Sequence, residues 1–590
     1  MMTARARLRA VTLRLVFLLA TLLGTACSEP PDGSTSTALL HEIGESYFDH
    51  LVREDLYFAA AVGFKPERLP SIRPEAYREN AEVARRHLAR LDAVRPENLE
   101  HSDALTLAAL RWDLEREIER FELSGDFYFE AMPRSVRTYG LESLFSSFRF
   151  KEPADGERYL VYVRDTAEYT NAVHASMRHQ AGLGIVMPRA AIDLAIPVWR
   201  GFRGKNDESL FHLSEDRVQG LVDGEDLRQR VASAVDEQVR PAIDELIEYM
   251  DGDYRSQAPA AVGYAQYPGA ERYYLYRIRF GVTLELEPEE IHRQGLERLA
   301  SLEKEMAEIR RSLGFTGSRE EFHESLANDP RFFAKTPEEM ERRLQAPLAK
   351  IEPLIDQYFL RRPQAPYGLR RLPRNFEASM SFGYYWPPNT NEPKGHYNYN
   401  ASNLEKRSLI AAADLIYHEL VPGHHFQIVL QAENESLPIY RRHAFYLAFA
   451  EGWAVYASQL AGEMGLYEDP YSRYGSLSSQ AFFATRLVVD TGINHMGWSE
   501  EEAFHFMREN TLKEESNIRA EILRYGVSGP AQALGYELGR YKIAELRERA
   551  RTALGDRFDI RRFHAAVLDD GSLPLAVLED HIDWFIEQNQ

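Results

Sequence analysis

Residues 414–427 read DLIYHELVPGHHFQ and lie in an apolar-periodic run from Arg407 to Leu430. That spacing predicts a helix. Its polar members are the residue types that zinc selects: imidazole nitrogen and carboxylate oxygen, with one position left open for water in a catalytic site. The usual helical zinc signature is His-Glu-x-x-His, two imidazoles one turn apart with a Glu between them as general base. His418 and Glu419 begin such a signature, but position 422 holds Pro, and the next imidazoles are His424 and His425.

The geometry of that departure can be worked out. At ~100° per residue a straight helix points His424 ~120° away from His418, whereas His425 nearly shares its face. His425 would then stand ~10.5 Å along the axis, against ~6 Å for the usual pair. A straight helix is not expected, because Pro422 has no N–H and clashes with the carbonyl of His418, while Gly423 loosens the backbone. A bulge that absorbs the two extra residues returns His424 to the site. His424 is therefore preferred as second ligand, with His425 as the alternative.

A third ligand is expected from a buried acid. Between Ala444 and Leu460 the chain is nearly all apolar or aromatic, and Glu451 is its single carboxylate, with no Lys or Arg beside it. A carboxylate in such a helix costs several kcal/mol unless it is paired or holds a metal. A helix–loop–helix hairpin of this length returns Glu451 beside the first helix.

These residues resemble the gluzincin metallopeptidases, with His-Glu…His on one helix and Glu on the next. The motif is two residues longer than usual, so that it reads HExxxxHH; the dipeptidyl peptidase III family carries one extra residue. The blocks HELVPGHH and AFAEGWAVYASQL are similar to those of the bacterial DUF885 family, which is helix-rich and has many lipoprotein members. The runs RLVVDTG (486–492) and RYGVSGPAQALGY (524–536) extend the likeness, which covers roughly residues 40–585. A more distant likeness is to the all-helical oligopeptidases of the neurolysin and angiotensin-converting-enzyme kind. The resemblance implies a mainly α, zincin-like fold, a Zn²⁺ cofactor and a peptide substrate.

The roles expected on that reading follow from chemistry. His418, His424 and Glu451 hold zinc. Glu419 takes a proton from the attacking water and returns it to the leaving amine. Tyr525 and Tyr536 are the candidate donors to the tetrahedral oxyanion, with His495 behind them. Asp414, one turn before His418, is placed to orient its imidazole. His396–Asn400 (HYNYN) reads as an edge strand that pairs with an extended peptide, with Asn398 and Asn400 as its polar groups. Arg524 and Arg486 suit a substrate carboxylate. Two other readings stay open: a non-enzymatic envelope lipoprotein that binds a peptide or partner through a vestigial metal site, and an iron site built from the same two-His, one-carboxylate set.

The rest of the chain reads as helix almost throughout: Leu39–Val62, Pro74–Val94, Ala104–Leu123, Gly156–Gly182, Glu225–Met250, Pro288–Leu313 and Pro337–Leu360. Strand-like runs are scarce and centre on Asn375–Tyr385 and His396–Asn400, so a small sheet is expected beside the histidine helix. The 590 residues carry 70 Lys and Arg against 91 Asp and Glu, a net charge of −21. That acid excess argues against nucleic acid as a partner, because phosphate binding needs a basic surface.

At the N-terminus, Arg5, Arg7, Arg9 and Arg14 precede a short apolar core, Leu15–Leu23. The core is too short to span a bilayer and reads as an export signal. Gly24-Thr25-Ala26-Cys27 follows and resembles a bacterial lipoprotein cleavage box, with Gly24 where Leu is usual. Cys27 is the single cysteine of the chain. The expected organisation is a signal over residues 1–26, a flexible tether over 27–38 and a helical domain over 39–590, with a soft boundary near 265. Lipidation of Cys27 would anchor the protein to the envelope, and the absence of an acid at Ser28 favours the periplasmic face of the outer membrane. The lipid is then its only membrane contact.

Overall fold

The computed structural model describes residues 33–132, 136–205, 209–221, 223–377, 383–389 and 392–590. The expected export signal, Cys27 and the start of the expected tether lie outside these residues. The first described helix spans Gly33–Glu54, so it begins six residues before the expected Leu39. Residues 34–38 contain no breaker, and tertiary contacts order them. Ser36 is fully buried and accepts from the Arg95 amide, while Thr37 Oγ1 donates to Asp103 at 2.9 Å.

Helices dominate, and the long ones fall where the periodicity places them, including Pro74–Leu91, His101–Phe127, Asp155–Gly182 and Pro288–Ser312. Acidic first turns and Pro at the first helical positions start several of them, as at Pro288 with Glu289 and Glu290, because that end of the helix favours negative charge and tolerates a missing N–H. Among the described residues no helix is long and apolar enough to cross a membrane.

Two large apolar cores hold the helices together, and they do not divide at residue 265. One joins Leu40, Leu110 and Leu114 near the N-terminus to Ile416, Phe426, Trp453, Ile543 and Leu578. The other packs Tyr159, Trp199, Ile243 and Tyr273 and reaches forward to Val527. Burial of Leu and Phe side chains contributes about 1.5–3 kcal/mol each, so the first helices are integral to the half that carries the histidines.

The sheet has three strands: β1 (Tyr367–Arg371), β2 (Gly383–Trp386) and β3 (Gly395–Tyr399). Its order is β1-β3-β2, with β1 parallel and β2 antiparallel to β3. The HYNYN segment is thus the central strand, not an edge. Of the run from Asn375, the described residues are a helical turn at Arg374–Glu377 and a strand from Gly383. β1 was not anticipated, because YGLRR shows no apolar alternation.

The helices that build the site are α1 (Ala412–Glu419), α2 (His424–Ala432), α3 (Leu447–Glu463), α4 (Pro470–Asn494) and α5 (Gly535–Leu554). α3 and α5 cross at Gly452 and Gly539. A Cβ on Gly452 would overlap the Gly539 backbone, and one on Gly539 would overlap the Ala448 carbonyl. Two glycines at this crossing let the helix axes approach closely, which fixes how Glu451 and Tyr536 are presented.

Candidate metal centre

α1 ends at Glu419, one residue after His418. Leu420 leaves the helical region at φ −111°, ψ −95°, the Val421–Pro422 peptide is cis, and α2 begins at His424. The expected bulge in one helix is in fact a complete break between two. Gly423 is required at the break, because a Cβ there would overlap the carbonyl oxygen of His418. Trp453 of α3 donates its indole N–H to the Pro422 carbonyl at 2.9 Å and pins the break against the third element of the site.

The break settles which imidazole joins His418. His424 Nε2 stands 3.2 Å from Glu451 Oε2, and His418 Nε2 stands 3.5 Å from the same oxygen. The two imidazole rings are 4.8 Å apart and nearly perpendicular. One ligand atom from each of the three residues lies within 4.8 Å of the others. His425 turns the other way: its Nδ1 meets the Tyr385 hydroxyl at 2.8 Å and its Nε2 meets the Ala365 carbonyl at 3.1 Å. The alternative ligand is therefore a strut between α2 and the sheet.

The donor set fits a zinc ion. Nitrogen and oxygen atoms ~2.0–2.1 Å from a tetrahedral zinc are ~3.3–3.4 Å apart, close to the 3.2 and 3.5 Å observed. Glu451 Oε2 is buried without a hydrogen-bond partner meeting ordinary geometry. Such an oxygen facing two imidazole nitrogens is costly unless a cation sits among them. Burial would raise the Glu451 carboxyl, but His424 and His418 override it and hold it well below the usual carboxylate range. Burial pulls His424 down, yet Glu451 and Glu419 together hold it above its ordinary value.

Glu419 lies beside this cluster. Burial pushes its carboxyl up to about 7, with Glu451 adding to the rise and His424 and the Tyr385 amide opposing it. Tyr385 belongs to β2, so the outer edge of that strand faces Glu419. Tyr536, at the start of α5, stacks on His418 with ring centroids 6.3 Å apart and on Phe483 of α4 at 5.3 Å. Burial, with the Glu451 charge adding to it, raises its phenol above the ordinary value.

Other expected members are placed elsewhere. The Tyr525 hydroxyl donates to Glu521 and accepts from Arg486 Nε at 3.1 Å, so it is held in a salt-bridge cluster instead of at the three-residue centre. Asp414 does not orient His418. Its carboxylate accepts from Tyr467 and Ser476, each at 3.0 Å, and His418 Nδ1 has no hydrogen-bond partner. Asn398 accepts from Arg370 across the sheet at 2.7 Å. Asn400 is fully buried, donates to the Glu377 carbonyl at 2.6 Å and accepts from Ser402. Both side chains are thus committed to partners within the protein, Asn398 on the central strand and Asn400 just past its end. Arg524 is occupied by Glu521 at 2.7 Å and by Gln532. His495 pairs with Glu289 at 2.8 Å. Tyr385 and Trp453 were not singled out in the sequence; an aromatic residue in a strand or an apolar helix carries no signal of its own.

The family described as "Bacterial protein of unknown function (DUF885)" matches residues 57–582. The chain belongs to the DUF885 family. Two solved structures share its fold. One, from Colwellia psychrerythraea and named as a candidate lipoprotein, is 24% identical, covers 94% of this chain and 99% of its own, and superposes with a TM-score of 0.84. The other, a candidate lipoprotein of unknown function from Shewanella oneidensis, is 17% identical, covers 92% and 99%, and has a TM-score of 0.73. No curated protein matches this DUF885 chain.

Proposed function

We propose that this DUF885 protein is a zinc-dependent hydrolase of peptide bonds, acting on short peptides in the bacterial cell envelope. The observation that carries the reading is the convergence of His418, His424 and Glu451 on one point with a second carboxylate, Glu419, beside it. A metal-binding module needs the first three and has no use for the fourth. A half-buried carboxylate next to the two imidazoles is placed to accept and return a proton.

His418, His424 and Glu451 would hold the ion. Bound zinc would polarise the scissile carbonyl and make water acidic enough to attack it. Glu419 accepts the proton of that water and delivers it to the departing amine. Tyr536 donates its hydroxyl hydrogen to the developing oxyanion; burial and Glu451 keep the phenol protonated, raising it above its ordinary value. β2 replaces the HYNYN strand as the docking edge: its outer side faces Glu419, and an extended peptide laid along it would bring a backbone carbonyl to the site.

The location forms part of the proposal. The Leu15–Leu23 core and the Gly24–Cys27 box support export and lipidation of Cys27, and both similar structures are named as candidate lipoproteins. Anchorage at the periplasmic face of the outer membrane fits Ser28, which is not an acidic retention signal.

Metal analysis of purified protein, paired with a Glu419→Gln variant, tests the reading. Zinc is expected at one per chain in both proteins, with peptide turnover falling at least ~10²-fold in the variant. Unchanged turnover in the variant, or a protein that takes up no metal, would overturn it.

A further inference from the structure

A second polar cluster adjoins the site and has no part in the hydrolysis steps above. Arg486 of α4 is buried, with 7% of its surface exposed. Its Nε donates to Tyr525 at 3.1 Å and its Nη2 to Glu521 at 3.3 Å, but Nη1 is buried and has no hydrogen-bond partner. Arg524 shares the same Glu521. The Lys513 ammonium lies 4.4 Å from the Phe482 ring, and the Arg486 guanidinium packs on that same ring at 4.2 Å. Three cations therefore gather around one carboxylate. Burial, with Arg486 adding to it and Glu521 opposing, pushes the Lys513 ammonium down to about 8.

A buried guanidinium N–H without a partner, in a locally cationic site, is costly unless an acceptor arrives. The acceptor that suits a planar guanidinium fork with an ammonium beside it is a carboxylate. The cluster also sits at a useful distance from the metal centre. Arg486 is 4.5 Å from the Tyr536 ring, and Tyr536 stacks on His418 at 6.3 Å. Extended peptide covers ~3.3–3.6 Å per residue, so only about one to three residues fit between the two points. Phe482, Phe483 and Tyr536 all pack against the Arg486 guanidinium, so this position has aromatic surface beside it.

We propose that Arg486, supported by Lys513, binds the free C-terminal carboxylate of the peptide, so that the enzyme is an exopeptidase releasing a short C-terminal fragment. The binding site rests on Arg486 and its surroundings, and the exopeptidase assignment rests in addition on the hydrolase reading above.

The experiment separates the two by measuring binding and cleavage independently. Three peptides are titrated calorimetrically into the zinc-loaded full-length Glu419→Gln protein: acetyl-Ala-Ala-Phe-Ala as the free acid, the same peptide as its C-terminal amide, and the amide of acetyl-Ala-Ala-Phe-Asp. The acid is expected to bind about tenfold to a hundredfold tighter than either amide, the range of a charge-assisted hydrogen-bonded pair. Adding Arg486→Gln should abolish that preference, and adding Lys513→Gln should narrow it. The lysine variant keeps the test open if the arginine variant does not fold. Equal affinity for the acid and its amide would overturn the proposal, and so would equally tight binding of the Asp amide, which would assign the cluster to acidic side chains. If the wild-type enzyme cleaves acid and amide with equal kcat/KM, the exopeptidase falls while the hydrolase stands. Acid-selective binding with no cleavage of any peptide removes the hydrolase and leaves the carboxylate site.

Discussion

His424 Nε2 lies 3.2 Å from Glu451 Oε2, although the rest of α2, a connecting segment with a short helix at Ile439–His443 and the first turn of α3 separate them along the chain. His425, the next residue, points to Tyr385 instead. Replacing His424 with Ala should therefore weaken zinc binding by more than ~10²-fold, beyond the effect usual for groups behind the ligands. His425→Ala should leave stoichiometric zinc. Competition with a chromophoric chelator measures both; loss of zinc in the His425 variant alone would reverse the assignment.

Gly423 tolerates no side chain, because a Cβ would overlap the His418 carbonyl. Gly423→Ala is expected to destabilise the protein by at least ~1–3 kcal/mol, the usual range for overpacking. It should also reduce zinc affinity, since the clash falls on the backbone of a proposed ligand. Denaturant midpoints together with metal content provide the check, and a variant with wild-type values for both would contradict the account of the break.

Glu419 predicts a pH signature in the metal-free protein. Its folded-state value is raised from 4.5 to about 7. The folded state therefore keeps a proton that the unfolded chain releases across that interval, and stability falls as pH rises from about 4.5 to about 7. Glu419→Gln removes this penalty. Relative to wild type, the variant should gain little below pH ~4.5 and up to ~3 kcal/mol above pH ~7, by the conversion of a shift into free energy. Chemical denaturation in chelator at both ends of the interval reads the difference. A stability gap that does not change with pH would show that Glu419 is solvated.

Tyr536 and Tyr525 belong to the same block of sequence, yet the first is half-buried and faces Glu451 while the second is buried and tied to Glu521 and Arg486. Tyr536→Phe should lower kcat by ~10²-fold with zinc content unchanged, the scale of a lost oxyanion donor. Tyr525→Phe should act mainly through KM, by loosening Arg486. Steady-state kinetics on one peptide distinguishes them, and equal kcat losses would place both hydroxyls at the reacting centre.

Much of the site was legible because its signals are local. His418 with Glu419, and Glu451 as the single carboxylate of an apolar helix, stand out in composition alone. The preference for His424 rested on Pro422 and Gly423, and the break at those two residues is what orients it. Asn398, Asn400, Asp414 and Tyr525 were misread for a common reason. Each is a polar residue near the motif, and sequence distance does not show whether a neighbouring element already supplies its partner. Arg370, Glu377, Tyr467 and Glu521 do so here. Tyr385 could not be found at all, because its role depends on which edge of the sheet faces α1.

The amino-acid sequence by itself determined the helical class, the position of most helices and the residues of the candidate metal centre, since periodicity, Pro and Gly chemistry and a lone acid among apolar residues act over one or two turns. Only the tertiary structure decided that HYNYN is a central strand, that β2 supplies the edge facing Glu419, and that Arg486 keeps an unpartnered N–H within a few residues' reach of the histidines. These relationships depend on the packing of α3 against α5 and on the strand order of the sheet, which arise from contacts between residues distant in the chain and leave no local pattern.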